Sequence, residues 1–133
     1  MSLRVELVTP EGRVWAGRAR MVIARTADGE IGVLTGHAPV LGILAEGSLL
    51  RVLDPEEGQP DVGGPVIAAV SSGFLSVADD KVAVLAREAL LRSQVDPAAA
   101  QATLDAHQAA AGERPPTEVK YAEAQLRAAG ERS

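Results

Sequence analysis

The apolar residues of this chain keep two different periods, and the change between them falls near Asp96. Before it they recur at alternate positions. Leu3, Val5 and Leu7 are separated by Arg4 and Glu6, which is the pattern of a half-buried strand. Pro10-Glu11-Gly12 reads as a turn, and Val14 to Thr26 as a long strand in which Ala19, Met21 and Ile23 alternate with Arg18 and Arg20. Gly17 inside it predicts a bulge or bend. Strands are also expected at Val40–Leu44, Ser48–Leu53, Pro65–Val70, Gly73–Ala78 and Lys81–Ala86. Turns at Glu46-Gly47 and Asp79-Asp80 separate some of these, and Asp54 to Gly64 reads as a polar hairpin loop. Short strands at this spacing with local turns define an antiparallel β-sandwich or barrel.

After the change the pattern is helical. Asp96-Pro97 is a helix start, with an Asp N-cap and Pro at the first helical position. Ala98 to Ala111 is mostly alanine, the best helix former. Gly112 and Pro115-Pro116 end that helix, and Thr117 to Gly130 reads as a second one. Val119, Ala122, Leu126 and Ala129 form its expected apolar stripe. The fold class is therefore α+β: a sandwich over residues 1–90, then an antiparallel two-helix hairpin over 91–133. Leu104 is the one large aliphatic between Pro97 and Ala111, so this hairpin buries little area. Two readings stand: it docks loosely and can lie along a partner, or its alanine faces simply pack close.

Composition narrows the chemistry. The net charge is −5 and the aromatics are Trp15, Phe74 and Tyr121 alone, which argues against a nucleic-acid partner. There is no cysteine, so disulfides, thiolate chemistry and Cys-ligated zinc are excluded. No signal peptide is expected at Met1–Glu6, and no apolar run approaches the roughly 20 residues that span a bilayer, so membrane association is expected only through a partner. His37 and His107 lie in different halves and form no metal motif. A hydrolytic triad drawn from Ser71 or Ser72, His37 and Asp79 lacks a nucleophile elbow. Catalytic, cofactor-binding and metal residues are therefore expected to be absent. Trp15 is expected in the core.

Gly29 to Leu41 is the densest motif, with three glycines, Glu30, His37 and Pro39 in thirteen residues. It reads as a shaped loop. His37 is either locally hydrogen-bonded there or, with Glu30, a contact for a polar or basic partner.

In order and spacing these residues resemble the ε subunit family of the F-type ATP synthase. The signature is Gly29-Glu30-Ile31-Gly32-Val33, three residues, His37, one residue, Pro39, one residue, Leu41. Leu3 to Gly12, Val14-Trp15-x-Gly17, Gly73-Phe74-Leu75-x-Val77 and Val82-x-Val84-Leu85-Ala86 also match, so the resemblance covers nearly the whole chain. It implies a non-catalytic central-stalk subunit at the cytoplasmic face of the bacterial membrane. The sandwich would bind the γ subunit, and Glu30, Gly36, His37 and Pro39 would face the polar loops of the c ring. The hairpin would restrain ATP hydrolysis, reaching the catalytic α and β subunits. Members that bind ATP on this hairpin carry Ile or Leu, Asp, two residues, Arg and Ala. Here Val95-Asp96-Pro97-Ala98-Ala99-Ala100 places Ala99 where that pattern has arginine, so no nucleotide cofactor is expected. The rival reading is a free-standing β-sandwich that senses a nucleotide or binds another ligand.

Overall fold

The computed structural model describes residues 2–55, 64–109 and 117–130, with the side chains of residues 108 and 109 excepted. Most of the Asp54–Gly64 loop, Gly112 and Pro115-Pro116 lie outside the described residues. Nine strands are present among the described residues: β1 Leu3–Thr9, β2 Gly12–Thr26, β3 Gly29–Val33, β4 Val40–Ile43, β5 Ser48–Pro55, β6 Val66–Val70, β7 Gly73–Ala78, β8 Lys81–Ala86 and β9 Ala89–Leu91. A 3-10 turn at Arg92–Gln94 leads to α1 Pro97–Ala109 and α2 Thr117–Gly130.

The hydrogen-bonded path runs β4-β7-β8-β1-β2-β5-β6-β9, with β3 on β2. β1 and β8 pair in parallel and every other neighbouring pair is antiparallel. β2 belongs to both layers. Its first half pairs β1 as far as Ala19, and its second half pairs β3 and β5. The Thr26–Leu44 bridge ties the end of β2 to the residue just after β4, so the path folds back on itself. Between the layers lies an aliphatic core that includes Leu3, Val5, Leu7, Val22, Leu75, Val77, Val82 and Val84, with Trp15 only 4% exposed beside them.

Three local expectations are corrected. The bulge lies at Val14, because Leu7 pairs Trp15 while Val8 pairs Arg13; Gly17 sits in regular register opposite Val5. Met21 and Ile23 are half-buried, whereas Val22 and Ala24 are buried. The inward parity of β2 thus changes after Ala19, where β1 ends and β3 and β5 take over as partners. Gly29 to Val33 is a strand rather than loop. The Thr26 hydroxyl accepts the Asp28 N–H and donates to the Gly29 carbonyl, closing a two-residue turn that sends the chain back along β2.

Asp79-Asp80 forms its tight turn with φ of 50° and 59°, the two positive values that a type I′ hairpin needs. At α1 the Asp96 carboxylate accepts the N–H groups of Ala98 and Ala99, as an N-cap should.

α1 and α2 pack together, and α2 docks on β5 and β6. The docking face is Tyr121, Ala124 and Ala128 against Ile67 and Ala69, while Leu126 is half-buried and Ala129 exposed. The expected Val119–Ala129 stripe is therefore only half right: Val119 and Ala122 are buried, but the sheet takes the face beside them. β6 is consequently buried throughout, with Val66, Ala68 and Val70 in the main core and Ile67 and Ala69 under the helix.

The Glu46-Gly47 turn meets α2 directly. Gly47 has φ +59°, and a Cβ there would stand 2.3 Å from the Lys120 carbonyl. The Gly47 carbonyl accepts Arg127 Nη2 at 2.9 Å, and Lys120 pairs Glu46 at 3.3 Å.

Burial, and secondarily the charge of Glu88, pushes the Tyr121 hydroxyl up to about 12. Since the folded value lies above the unfolded one near 10, docking stability is intact below about pH 10. It is lost as pH rises from there toward 12. Gly47→Ala should push α2 off the sheet, adding about 1–2 kcal/mol of backbone strain to the clash. Tyr121 is the sole tyrosine, so tyrosinate absorbance checks this directly: the midpoint should fall from about 12 toward the ordinary value.

Candidate interaction face

The two layers differ on their outer sides. α2 covers β5 and β6, whereas among the described residues no element covers β4, β7, β8, β1 and the first half of β2. Alternation turns Leu3, Val5, Leu75, Val77, Val82 and Val84 inward, so their neighbours form this outer face. Strand register arranges it in three transverse rows. The first is Ile43, Phe74, Leu85 and Val8, each opposite the next. The second is Leu41, Ser76, Ala83, Glu6 and Ala16. The third is Ala78, Lys81, Arg4 and Arg18.

The first row is apolar yet open to solvent. Ile43 is 60% exposed, Phe74 and Leu85 53% each, and Leu41 beside them 79%. Single exposed apolar residues are ordinary, but large ones adjacent on neighbouring strands mark an interaction site. Sequence reading missed this row. Its signal was present in the unbroken apolar run Val82–Ala86 and in Val40–Leu44, since an antiparallel strand with one wet face should alternate.

The sequence-predicted loop residues fall in two places. Gly36, His37 and Pro39 lie in the segment between β3 and β4, at the Asp79-Asp80 end of the sandwich. Gly36, at φ +82°, donates its N–H to Asp80 Oδ1 at 2.7 Å, and the Asp80 carbonyl accepts the Arg4 N–H at 2.9 Å. Asp80 thus joins the loop, the β7–β8 turn and the start of β1. His37 is half-buried, with Nδ1 2.7 Å from the Ala38 carbonyl. A carbonyl only accepts, so Nδ1 carries the proton in that contact and Nε2 is left for another partner. Pro39 is exposed. Glu30 is elsewhere: it is exposed on β3 opposite Arg25, in a hollow shared with Arg51 and with Arg127 of α2. The structure therefore gathers three of the four residues and sets Glu30 apart.

Ser71 is buried, with its hydroxyl bound to the Glu88 backbone on both sides. No group of three or more His, Cys, Asp or Glu among the described residues converges as a metal site would require. Nor is any helix among them long and apolar enough to cross a membrane.

The fold is thus a β-sandwich with α2 of a C-terminal helical hairpin packed on one face and the other face open among the described residues. Residues 2–92 match the family described as ATP synthase, Delta/Epsilon chain, beta-sandwich domain. The chain belongs to the ATP synthase epsilon chain family. It is 50% identical over 103 residues to the ATP synthase epsilon chain of Thermobifida fusca, covering 77% of this chain and 72% of that one. Along almost its full length it resembles the epsilon chain of Streptomyces avermitilis, 40% identical over 131 residues, with 98% and 97% covered. Among solved structures, a chain of the Euglena gracilis mitochondrial ATP synthase superposes with a TM-score of 0.68 at 23% identity, covering 94% of this chain and 75% of that one. A chain from the central stalk and c ring of the Tetrahymena thermophila enzyme gives 0.59 at 12% identity, covering 95% and 97%; these two establish the fold alone.

Asp80→Gly keeps the positive φ while removing the carboxylate that holds Gly36. Amide exchange at Gly36 should accelerate roughly tenfold, equivalent to about 1.4 kcal/mol, whereas core amides such as that of Val77 stay protected.

Proposed function

We propose that this chain is the non-catalytic rotor subunit of a proton-translocating F-type ATP synthase. In this reading the open sheet face binds the γ subunit. The end formed by Gly36, His37 and Pro39 meets the polar loops of the c ring, with Glu30 as an outlying contact. The residues 91–133 hairpin restrains ATP hydrolysis by reaching toward the catalytic α and β subunits. The assembly places the chain at the cytoplasmic face of the membrane as a peripheral subunit. No nucleotide binds the hairpin in this reading, since Ala99 lacks the cation that would meet phosphate.

The observation that carries the reading is the Ile43–Phe74–Leu85 row, which the fold builds in register and leaves in water. At about 25 cal/mol per Å², covering three such side chains supplies several kcal/mol of association free energy. Exposed polar pairs at the loop end supply about 0–1 kcal/mol each, so they orient more than they hold.

Phe74→Asp alters a residue that is half in solvent, and the sandwich should keep its unfolding midpoint. Its association with purified γ subunit, measured by size-exclusion chromatography with light scattering, should weaken at least a hundredfold relative to the unmodified chain. In the assembled enzyme, ending the chain at Val95 should raise ATP hydrolysis. Unchanged hydrolysis would remove the regulatory part of the proposal and leave the stalk role.

A further inference from the structure

We infer that the open face is a two-sided trough for an acidic, amphipathic segment of the stalk partner, with the Arg18–Arg4–Lys81 row receiving its carboxylates. This rests on the stalk reading above and adds the chemistry of the segment that docks. Arg4 stands directly opposite Arg18 on one side and Lys81 on the other. Adjacent strands are ~4.8 Å apart, so three like charges crowd one line of a chain whose net charge is −5. Like charges directly opposite one another weaken a sheet. Among the described residues none of the three has an ion-pair partner, although the same face pairs Arg13 with Glu6 at 3.1 Å. Among the described residues, then, no ion pair offsets their repulsion. A docked anion would.

Shape agrees with charge. The cationic and apolar rows are four residues apart along each strand, from Lys81 to Leu85 and from Arg4 to Val8. At 3.3 Å per residue they lie ~13 Å apart. Between them the floor over β7, β8, β1 and β2 is low, made of Ser76, Ala83 and Ala16 with Glu6 paired to Arg13, and exposed Leu41 of β4 closes one end. The hollow on the cationic side, over Arg4, Glu6, Ala16, Arg18, Lys81 and Ala83, has a volume of about 680 Å³, and Ile43, Phe74 and Leu85 line a separate one. An α-helix is ~10–12 Å across, so one helix fits between the rows. Its apolar edge would lie on Ile43, Phe74 and Leu85. The cations, about one strand spacing apart, would meet acidic residues three or four positions apart in its sequence.

The test is the triple variant Arg4→Gln, Arg18→Gln, Lys81→Gln in the full chain, titrated with purified γ subunit at low and high salt. Binding should weaken about tenfold or more at low salt, and the fall in affinity that salt causes in the unmodified chain should largely disappear. Trp15 fluorescence on unfolding should show the fold intact. If the triple variant binds γ with unchanged affinity and unchanged salt dependence while Phe74→Asp abolishes binding, the cationic row is no part of the interface and the inference fails alone. If the unmodified chain does not bind γ at all, the stalk reading fails first. A third outcome also overturns the inference: vesicles containing phosphatidylglycerol retain the unmodified chain and release the triple variant, with γ affinity equal for both. The row would then serve a membrane surface instead.

Discussion

The fifteen residues of β2 have to serve two layers with one backbone. The strand pairs β1 over its first half and β3 and β5 over its second, and the buried parity switches between Ala19 and Val22. That switch lets Trp15 and Ala19 face the same core as Val22 and Ala24 although the two pairs differ in phase. A one-residue slip in a strand ordinarily exchanges its two faces. Here the change of phase lets a single strand remain inward-facing while its partners change. The Thr26–Leu44 bridge then fixes the far end of β2 against the chain just after β4. β4 carries Leu41 and Ile43, so the position of the open apolar face depends on the same strand.

Much of the fold could be read from the residues because local signals agreed with one another. The period-two strands, the Asp79-Asp80 turn and the Asp96-Pro97 helix start all occur where pattern and turn chemistry place them. What escaped detection depended on pairing. Nothing within Gly29–Val33 distinguishes a glycine-rich loop from a strand until Thr26 closes its turn and β2 supplies a partner. Gly17 looked like a bulge on composition, yet a bulge belongs to a register, and the register puts it at Val14. On α2, helical spacing singled out the stripe Val119, Ala122, Leu126 and Ala129. The sheet instead selected Tyr121, Ala124 and Ala128, where two alanines let the helix backbone come close and the tyrosine ring is buried beside them.

The candidate site was legible in part for the same reason. Gly36, His37 and Pro39 announce an irregular segment by residue type alone, and they do lie together at one end of the sandwich. Glu30 is near them in sequence, but the β2–β3 pairing directs it toward Arg25 and the hairpin. The apolar and cationic rows are each assembled from residues scattered between position 4 and position 85. No linear motif encodes Ile43 beside Phe74 beside Leu85, or Arg18 beside Arg4 beside Lys81. They become neighbours only when strand order and register are known.

The covered and open faces also differ in the kind of force available to them. α2 is held on the sheet by Tyr121 and small side chains, a backbone approach at Gly47, the Arg127 hydrogen bond to the Gly47 carbonyl and an exposed ion pair of Lys120 with Glu46. Such a pair is worth about 0–1 kcal/mol, so close approach and the burial of Tyr121 must hold the helix. The open face offers large apolar side chains and three cations without an ion-pair partner among the described residues, which favour attachment to an acidic, amphipathic partner. The two surfaces lie on different layers and share no residue, so a partner on one does not compete with the hairpin on the other. On the rotor reading, this separation lets the sandwich stay attached to the stalk whether or not α2 is docked. Changes in hairpin position then cost only the weaker contact.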